Sequence, residues 1–217
     1  LLKIALENDN DELFEFLLNQ PGIDFWPGYF VNCNKLKQIT LPPTIASINH
    51  DLFSGCTSLK EVIIPSSVVT IEWNAFKGCT SLKEITIPSS VTLIGMNAFE
   101  DCTSLEKFTI PSSISIIYSA LFKGCTSLKE ITIPLSIKNI ENSAFHGCTS
   151  LREITIPHSI GSIRTCTFCG FKSLKEIKIP SSVTSIGSSA FNGCTSLKEI
   201  KIPSSVKSID SFAFNGC

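Results

Sequence analysis

A 23-residue unit, repeated without insertion or deletion, constrains this chain more than any other feature. Full copies begin at Cys33, Cys56, Cys79, Cys102, Cys125, Cys148, Phe171 and Cys194, and Cys217 opens a ninth. A fixed period of this length implies a solenoid, each copy forming one coil stacked on the next. A coil cannot shield its own apolar residues, so stacking is what buries them.

The third copy shows what each position is for. Ile85 and Ile87 alternate with Glu84 and Thr86, the period-two pattern of a half-buried strand. One such strand per coil, in register, gives a parallel sheet. Pro88 recurs in every copy and lacks an N–H, so it belongs just past the strand. A hydroxyl column follows (Thr44, Ser67, Ser90, Ser113, Ser136, Ser159, Ser182, Ser205), suited to satisfying backbone groups between coils. Val91 and Ile94 point inward again as a second short strand. Asn97-Ala98-Phe99 suits a single helical or 3-10 turn, with Phe99 as the largest core filler. Gly, Asn32 or Asp101 precedes the Cys position, which points to a left-handed backbone there.

Leu-x-x-Ile-x-Ile-Pro-x-Ser-Val-x-x-Ile, closing with Ala-Phe-x-Gly-Cys, resembles a leucine-rich repeat of the BspA-like class over residues 33–217. The resemblance implies an α/β leucine-rich-repeat solenoid: right-handed, with the parallel sheet on the concave side and short helical or 3-10 turns on the convex side. It also implies adhesion or protein binding as the class of function. Residues 25–32 form a degenerate coil, with Phe25 at an Ile position and Phe30 at the repeated Phe, so the solenoid is expected over 25–217.

Residues 1–24 stand outside the repeat. Leu2, Ala5 and Leu6 have helical spacing, Asn8-Asp9-Asn10-Asp11 supply turn and cap residues, and Leu13, Phe14, Leu17 and Leu18 form a second apolar face stopped by Pro21-Gly22. This helix pair resembles the two-helix part of an ankyrin repeat. It is expected to cap the first coil's apolar end; the other reading is the last of several ankyrin repeats.

Eight of the ten cysteines share one repeat position. Stacked neighbours would sit about 5 Å apart with parallel Cα–Cβ vectors, a poor geometry for disulfides, so buried free thiols are expected. Free thiols, the absence of any Asn-x-Ser/Thr sequon and the ankyrin-like helices favour the cytoplasm. The BspA-like resemblance supports the alternative, a cell-surface adhesin.

The outward strand positions are the candidate partner-binding residues of the concave face. They are Lys60, Glu61 and Ile63; Lys83, Glu84 and Thr86; Glu106, Lys107 and Thr109; Lys129, Glu130 and Thr132; Arg152, Glu153 and Thr155; Lys175, Glu176 and Lys178; Lys198, Glu199 and Lys201. Lys and Glu columns side by side are expected to neutralise one another diagonally. The fourth copy reverses the order of signs, Lys178 and Lys201 replace Thr, and Ile63 is the apolar exception.

The expected function is a non-enzymatic module binding a protein partner. No catalytic set or phosphate loop is visible, and His50, His146 and His158 occupy three different repeat positions. A net charge of −1 argues against nucleic acid, and no apolar run is long enough to cross a membrane. No cofactor or metal is expected. Cys166 and Cys169, with His146 one coil earlier, are a partial zinc set without a fourth ligand and are read as incidental thiols. Leu197, Ile200, Ile202, Val206, Ile209 and Phe214 of the last copy are expected to support self-association.

Overall fold

The computed structural model describes residues 1–8, 10–20, 23 and 25–217. Asp9, Asp24 and the expected Pro21-Gly22 stop lie outside the described residues. Helices α1 (Leu2–Glu7) and α2 (Asp11–Leu18) lead the chain, and the Asn10 side chain caps α2 by accepting the Leu13 N–H at 3.0 Å. Leu2, Ala5, Leu6, Phe14 and Leu18 are buried in the same core as the first coil, with the Phe14 ring 6.3 Å from Phe30. Leu13 leaves the expected apolar face and is exposed.

The solenoid then follows, with two strand columns per coil. Three-residue strands occur at Gln38–Thr40, Glu61–Ile63, Lys107–Thr109, Glu130–Thr132, Glu176–Lys178 and Glu199–Lys201. They pair in parallel and in register, 38–40 with 61–63, 107–109 with 130–132, and 176–178 with 199–201. Residues 84–86 and 153–155 keep the in-and-out alternation but join no ladder, so the face is a series of two-stranded sheets. The second column is a two-residue strand in every copy, from Ser47–Ile48 to Ser208–Ile209, as expected from Val91-x-x-Ile94.

Identical columns build the interior. The rings of Phe30, Phe53, Phe76, Phe99, Phe122, Phe145, Phe168, Phe191 and Phe214 stack with neighbouring centroids 5.3 to 6.0 Å apart. The cysteine ladder is reduced. Seven of the eight ladder thiols, all but Cys33, donate to the carbonyl of the Phe 26 residues earlier, as in Cys56 to Phe30 at 2.9 Å and Cys79 to Phe53 at 3.2 Å. Burial pushes the Cys56, Cys102 and Cys194 thiols up to about 12, which keeps them as S–H donors. Most of the serine column bonds as expected: Ser90, Ser113, Ser136, Ser182 and Ser205 donate to carbonyls 22 residues earlier at 2.5 to 2.8 Å, whereas the buried Ser67 hydroxyl has no partner among the described residues.

The turn side departs from expectation. The predicted helical or 3-10 turn does not form, because alternate N–H groups are used between coils, while those between them close isolated turns, as Ala75 to Glu72 and Lys77 to Asn74 do at 3.4 and 3.0 Å. Asn74, Phe76 and Gly78 donate to Met96, Ala98 and Glu100 at 3.1, 2.9 and 2.8 Å, and the pattern repeats along the chain. A helical turn would spend those donors within its own coil. The backbone accommodates this with two left-handed columns. One is the expected position before Cys, where Asn32 and Asp101 match the glycines at φ 57° and 58°. The other includes Asn74, Asn97, Ala120, Ser143, Cys166 and Ser189, with φ between 54° and 57°.

Candidate protein-binding face

Strand alternation places the second and fourth residues of the Lys-Glu-x-Thr columns outward, and the first lies just before the strand. All of the candidate positions are exposed except Glu106, which is half-buried. Their apolar neighbours Val62, Ile85, Phe108, Ile154 and Ile177 are buried, so the strands hold the charged groups on a fixed frame.

The electrostatics differ from the diagonal neutralisation expected from the columns. Register stacks like on like in the ladder that joins copies seven and eight: Glu176 sits opposite Glu199 and Lys178 opposite Lys201. The sign reversal in the fourth copy changes this. Lys107 meets Glu130 at 3.1 Å and Lys129 meets Glu106 at 2.7 Å. Among the described residues these are the only ion pairs on this face. The Lys129 ammonium holds the Glu106 carboxyl below its usual range.

Open clefts lie along the face, and two of them border its variable residues. One, of about 800 Å³, runs between the second and third copies beside the unladdered stretch 84–86, and Lys60, Glu61, Ile63, Lys83, Glu84 and Thr86 line it. Ile63 is 52% exposed there. The second, of about 570 Å³, is rimmed by Lys175, Glu176, Lys178, Lys198, Glu199 and Lys201. A charged surface with an apolar contact at one end and four lysines at the other has the makings of a protein interface.

Two further groups on the turn side escaped sequence reasoning. Glu100 is buried, with 7% of its side chain exposed, and bridges Lys77 and Lys123 at 2.8 Å each. Burial alone would raise its carboxyl, but the two ammonium groups prevail and lower it. An aromatic cluster forms where His50, Trp73 and Met96 succeed one another in a column that is small and polar in later copies. His50 stacks on Trp73 at 4.7 Å, and its ring and backbone N–H approach Glu72. Trp73, Leu93, Met96 and Tyr118 line an apolar pocket of about 350 Å³. Reading that one column down the copies would have found it.

His146, Cys166 and Cys169, from adjacent coils, come together at the turn side, with ligating atoms all within 4.8 Å of one another. Burial and the neighbouring Lys123 lower the His146 pKa.

The repeat model of the BspA type leucine rich repeat region matches residues 26–148 and 115–217. The chain belongs to the BspA-type leucine-rich repeat family. No functionally curated protein matches the sequence. Among solved structures, a leucine rich cell surface protein from Faecalibacterium prausnitzii is similar at 33% identity and a TM-score of 0.62, over 88% of this chain and 60% of that one. The Treponema pallidum leucine rich repeat protein is similar at 26% identity and a TM-score of 0.52, over 80% of this chain and 70% of that one. A leucine-rich repeat protein from Eubacterium ventriosum, 23% identical with a TM-score of 0.65 over 83% of this chain and 58% of that one, shares the fold. This BspA-type chain thus spans about 60% of the length of the Faecalibacterium protein. No helix among the described residues is long and apolar enough to cross a membrane.

Proposed function

We propose that this BspA-type solenoid is a non-enzymatic module that binds a protein partner through its Lys-Glu-x-Thr face. The observation that carries the reading is the contrast between interior and face. Phe, Cys, Ser and Ile columns repeat almost unchanged, while sign order, Ile63, Lys178 and Lys201 vary on one exposed surface with open clefts. Variation carried on a rigid, outward-facing frame is what partner discrimination requires. The three-residue strands hold Lys and Glu at fixed spacing, so a partner meets ordered charge and loses little entropy in selecting it.

The cell surface is the placement that suits this reading better than the cytoplasm. The Faecalibacterium relative is described as a cell surface protein, and the adhesin reading follows from it. The buried thiols do not oppose that placement, since burial shields them from exchange. Protease treatment of intact cells tests the placement: loss of the protein supports the surface, and full protection supports the interior. Affinity capture with mass spectrometry tests the function. The wild-type face is expected to retain a partner that is lost when Ile63, Lys178 and Lys201 are all changed to Thr; equal retention by both overturns the reading.

A further inference from the structure

The end of the sixth copy and the first residue of the seventh depart from the unit at four positions within six residues: Cys166, Thr167, Cys169 and Phe171. Two of these are absorbed by the interior. Thr167 is buried and donates its hydroxyl to the Arg164 carbonyl at 2.8 Å, and Phe171 fills a Cys position edge-on to Phe168 at 5.6 Å. The other two are not absorbed. Cys166 and Cys169 are half-buried at the turn side, and His146 of the preceding coil lies against them.

The backbone fixes this arrangement. Cys166 is held in the left-handed column at φ 54°, and its N–H donates to the Ser188 carbonyl at 3.0 Å. The Cys169 N–H donates to the Cys166 carbonyl at 3.3 Å, closing a tight turn that brings the two side chains to one side. The Cys169 carbonyl accepts the Gly147 N–H at 2.8 Å, which ties the turn to the coil that carries His146. His146 and Cys169 occupy the same repeat position in successive coils, so the stacking itself sets their separation.

We propose that His146, Cys166 and Cys169 form a zinc site in which one imidazole nitrogen and two thiolates bind the ion and water takes the fourth position. Two sulfurs and one nitrogen are a ligand set that favours a tetrahedral d10 ion over harder cations. Zinc–sulfur and zinc–nitrogen bonds of about 2.3 and 2.0–2.1 Å place tetrahedral ligand atoms about 3.5–3.8 Å apart. Ligand atoms already within 4.8 Å reach that spacing by side-chain rotation, with the backbone left in place. Binding releases one proton from each thiol, and the two thiolates balance the charge of the ion. Lys123, next in the column beyond His146, has its ammonium on Glu100 at 2.8 Å, so its charge is compensated locally. The six buried ladder thiols (Cys56, Cys79, Cys102, Cys125, Cys148 and Cys194) do not compete, because they donate to carbonyls in the interior. Half-burial of all three ligands leaves the fourth position open to solvent. The site stands apart from the Lys-Glu-x-Thr face, and its test is independent of the protein-binding reading.

Cobalt(II) titration of the reduced, metal-stripped full chain tests the proposal. One equivalent of cobalt should bind, with sulfur-to-cobalt charge-transfer bands and the intense visible bands of tetrahedral cobalt, and zinc should displace it. Cys166→Ser, Cys169→Ser and His146→Asn should each weaken binding by roughly 10- to 100-fold or more, whereas Cys217→Ser should bind as the wild type does. Metal-free thermal midpoints equal to wild type establish that the variants fold. A weak octahedral spectrum, or tetrahedral bands that survive both Cys166→Ser and Cys169→Ser, overturns the site. Alkylation mapped by mass spectrometry gives a readout that needs no variant. Zinc should slow labelling of Cys166 and Cys169 and spare the labelling of Cys217; equal labelling of all three with and without zinc contradicts the proposal.

Discussion

Copies four and five and copies seven and eight present the same columns on the same face, yet their charges behave in opposite ways. In the first pair, reversed sign order sets Lys107 against Glu130 and Glu106 against Lys129, so the surface satisfies itself. In the second, register places Glu176 on Glu199 and Lys178 on Lys201, and no ion pair forms there among the described residues. The interiors below are nearly the same, with stacked Phe rings 5.6 Å apart in one region and 5.3 Å apart in the other. The fold therefore leaves surface charge free to vary. A partner docking on copies four and five would have to desolvate groups already paired, while one docking on copies seven and eight meets lysines that lack an opposite charge. The second region is the better place for an acidic partner.

The comparison can be broken most strongly from within. Phe122 stacks between Phe99 and Phe145 and meets the edge of Phe108 at 4.7 Å. Phe122→Ala should cost ~3–5 kcal/mol in urea unfolding. Because coils contact only their neighbours, hydrogen exchange should rise in copies four and five and stay low in copies seven and eight.

A smaller effect is expected at Glu100, whose carboxylate holds Lys77 and Lys123 next to copy four. Glu100→Ala should destabilise by ~1–3 kcal/mol, below the cost of a fully buried pair because both lysines are about half exposed. The folded carboxyl titrates below its ordinary value, so its stabilisation is present above the unfolded pKa and is lost as pH falls through the folded one. Stability curves of wild type and variant, measured against pH, should therefore converge in acid.

Lys178→Glu and Lys201→Glu together should slow association with an acidic partner by roughly tenfold at low salt, measured by surface-immobilised kinetics. The same change at copies four and five has a different consequence. Glu106→Lys with Lys107→Glu restores the majority order and removes both ion pairs. Its thermal midpoint should fall only slightly, and the difference should disappear near 1 M salt, where the Debye length is about 3 Å. The 217-residue chain also exposes Ile202, Ile209 and Phe212 on its last coil, and light scattering should detect weak self-association that Phe212→Ser reduces.

Much of this was legible in the sequence because each interior position recurs in every copy. The Phe, Cys and Ser columns, the proline after each strand and the left-handed site before Cys could all be read as columns. The second left-handed column could not, since Ala120, Ser143, Cys166 and Ser189 carry no signature of positive φ. The turn side was misjudged for a related reason: Asn97-Ala98-Phe99 is compatible with a helical turn, and only the stacked coil reveals that the Asn97 and Phe99 N–H groups are spent on the next one. On the face, the reversed order at Glu106-Lys107 was visible, but the ion pairs depend on register with copy five. The Trp73 pocket and the Lys77–Glu100–Lys123 bridge likewise join side chains from neighbouring coils.

The central claim is that the variable residues of the strand face carry recognition. Its most direct test is quantitative affinity capture by wild type and by a variant in which Ile63, Lys178 and Lys201 become Thr and Glu106-Lys107 becomes Lys-Glu. Both should show the same circular dichroism and nearly the same thermal midpoint. The account expects the wild type to hold a defined partner that the levelled face releases. Capture of the same partner, in the same amount, by the levelled face would contradict it.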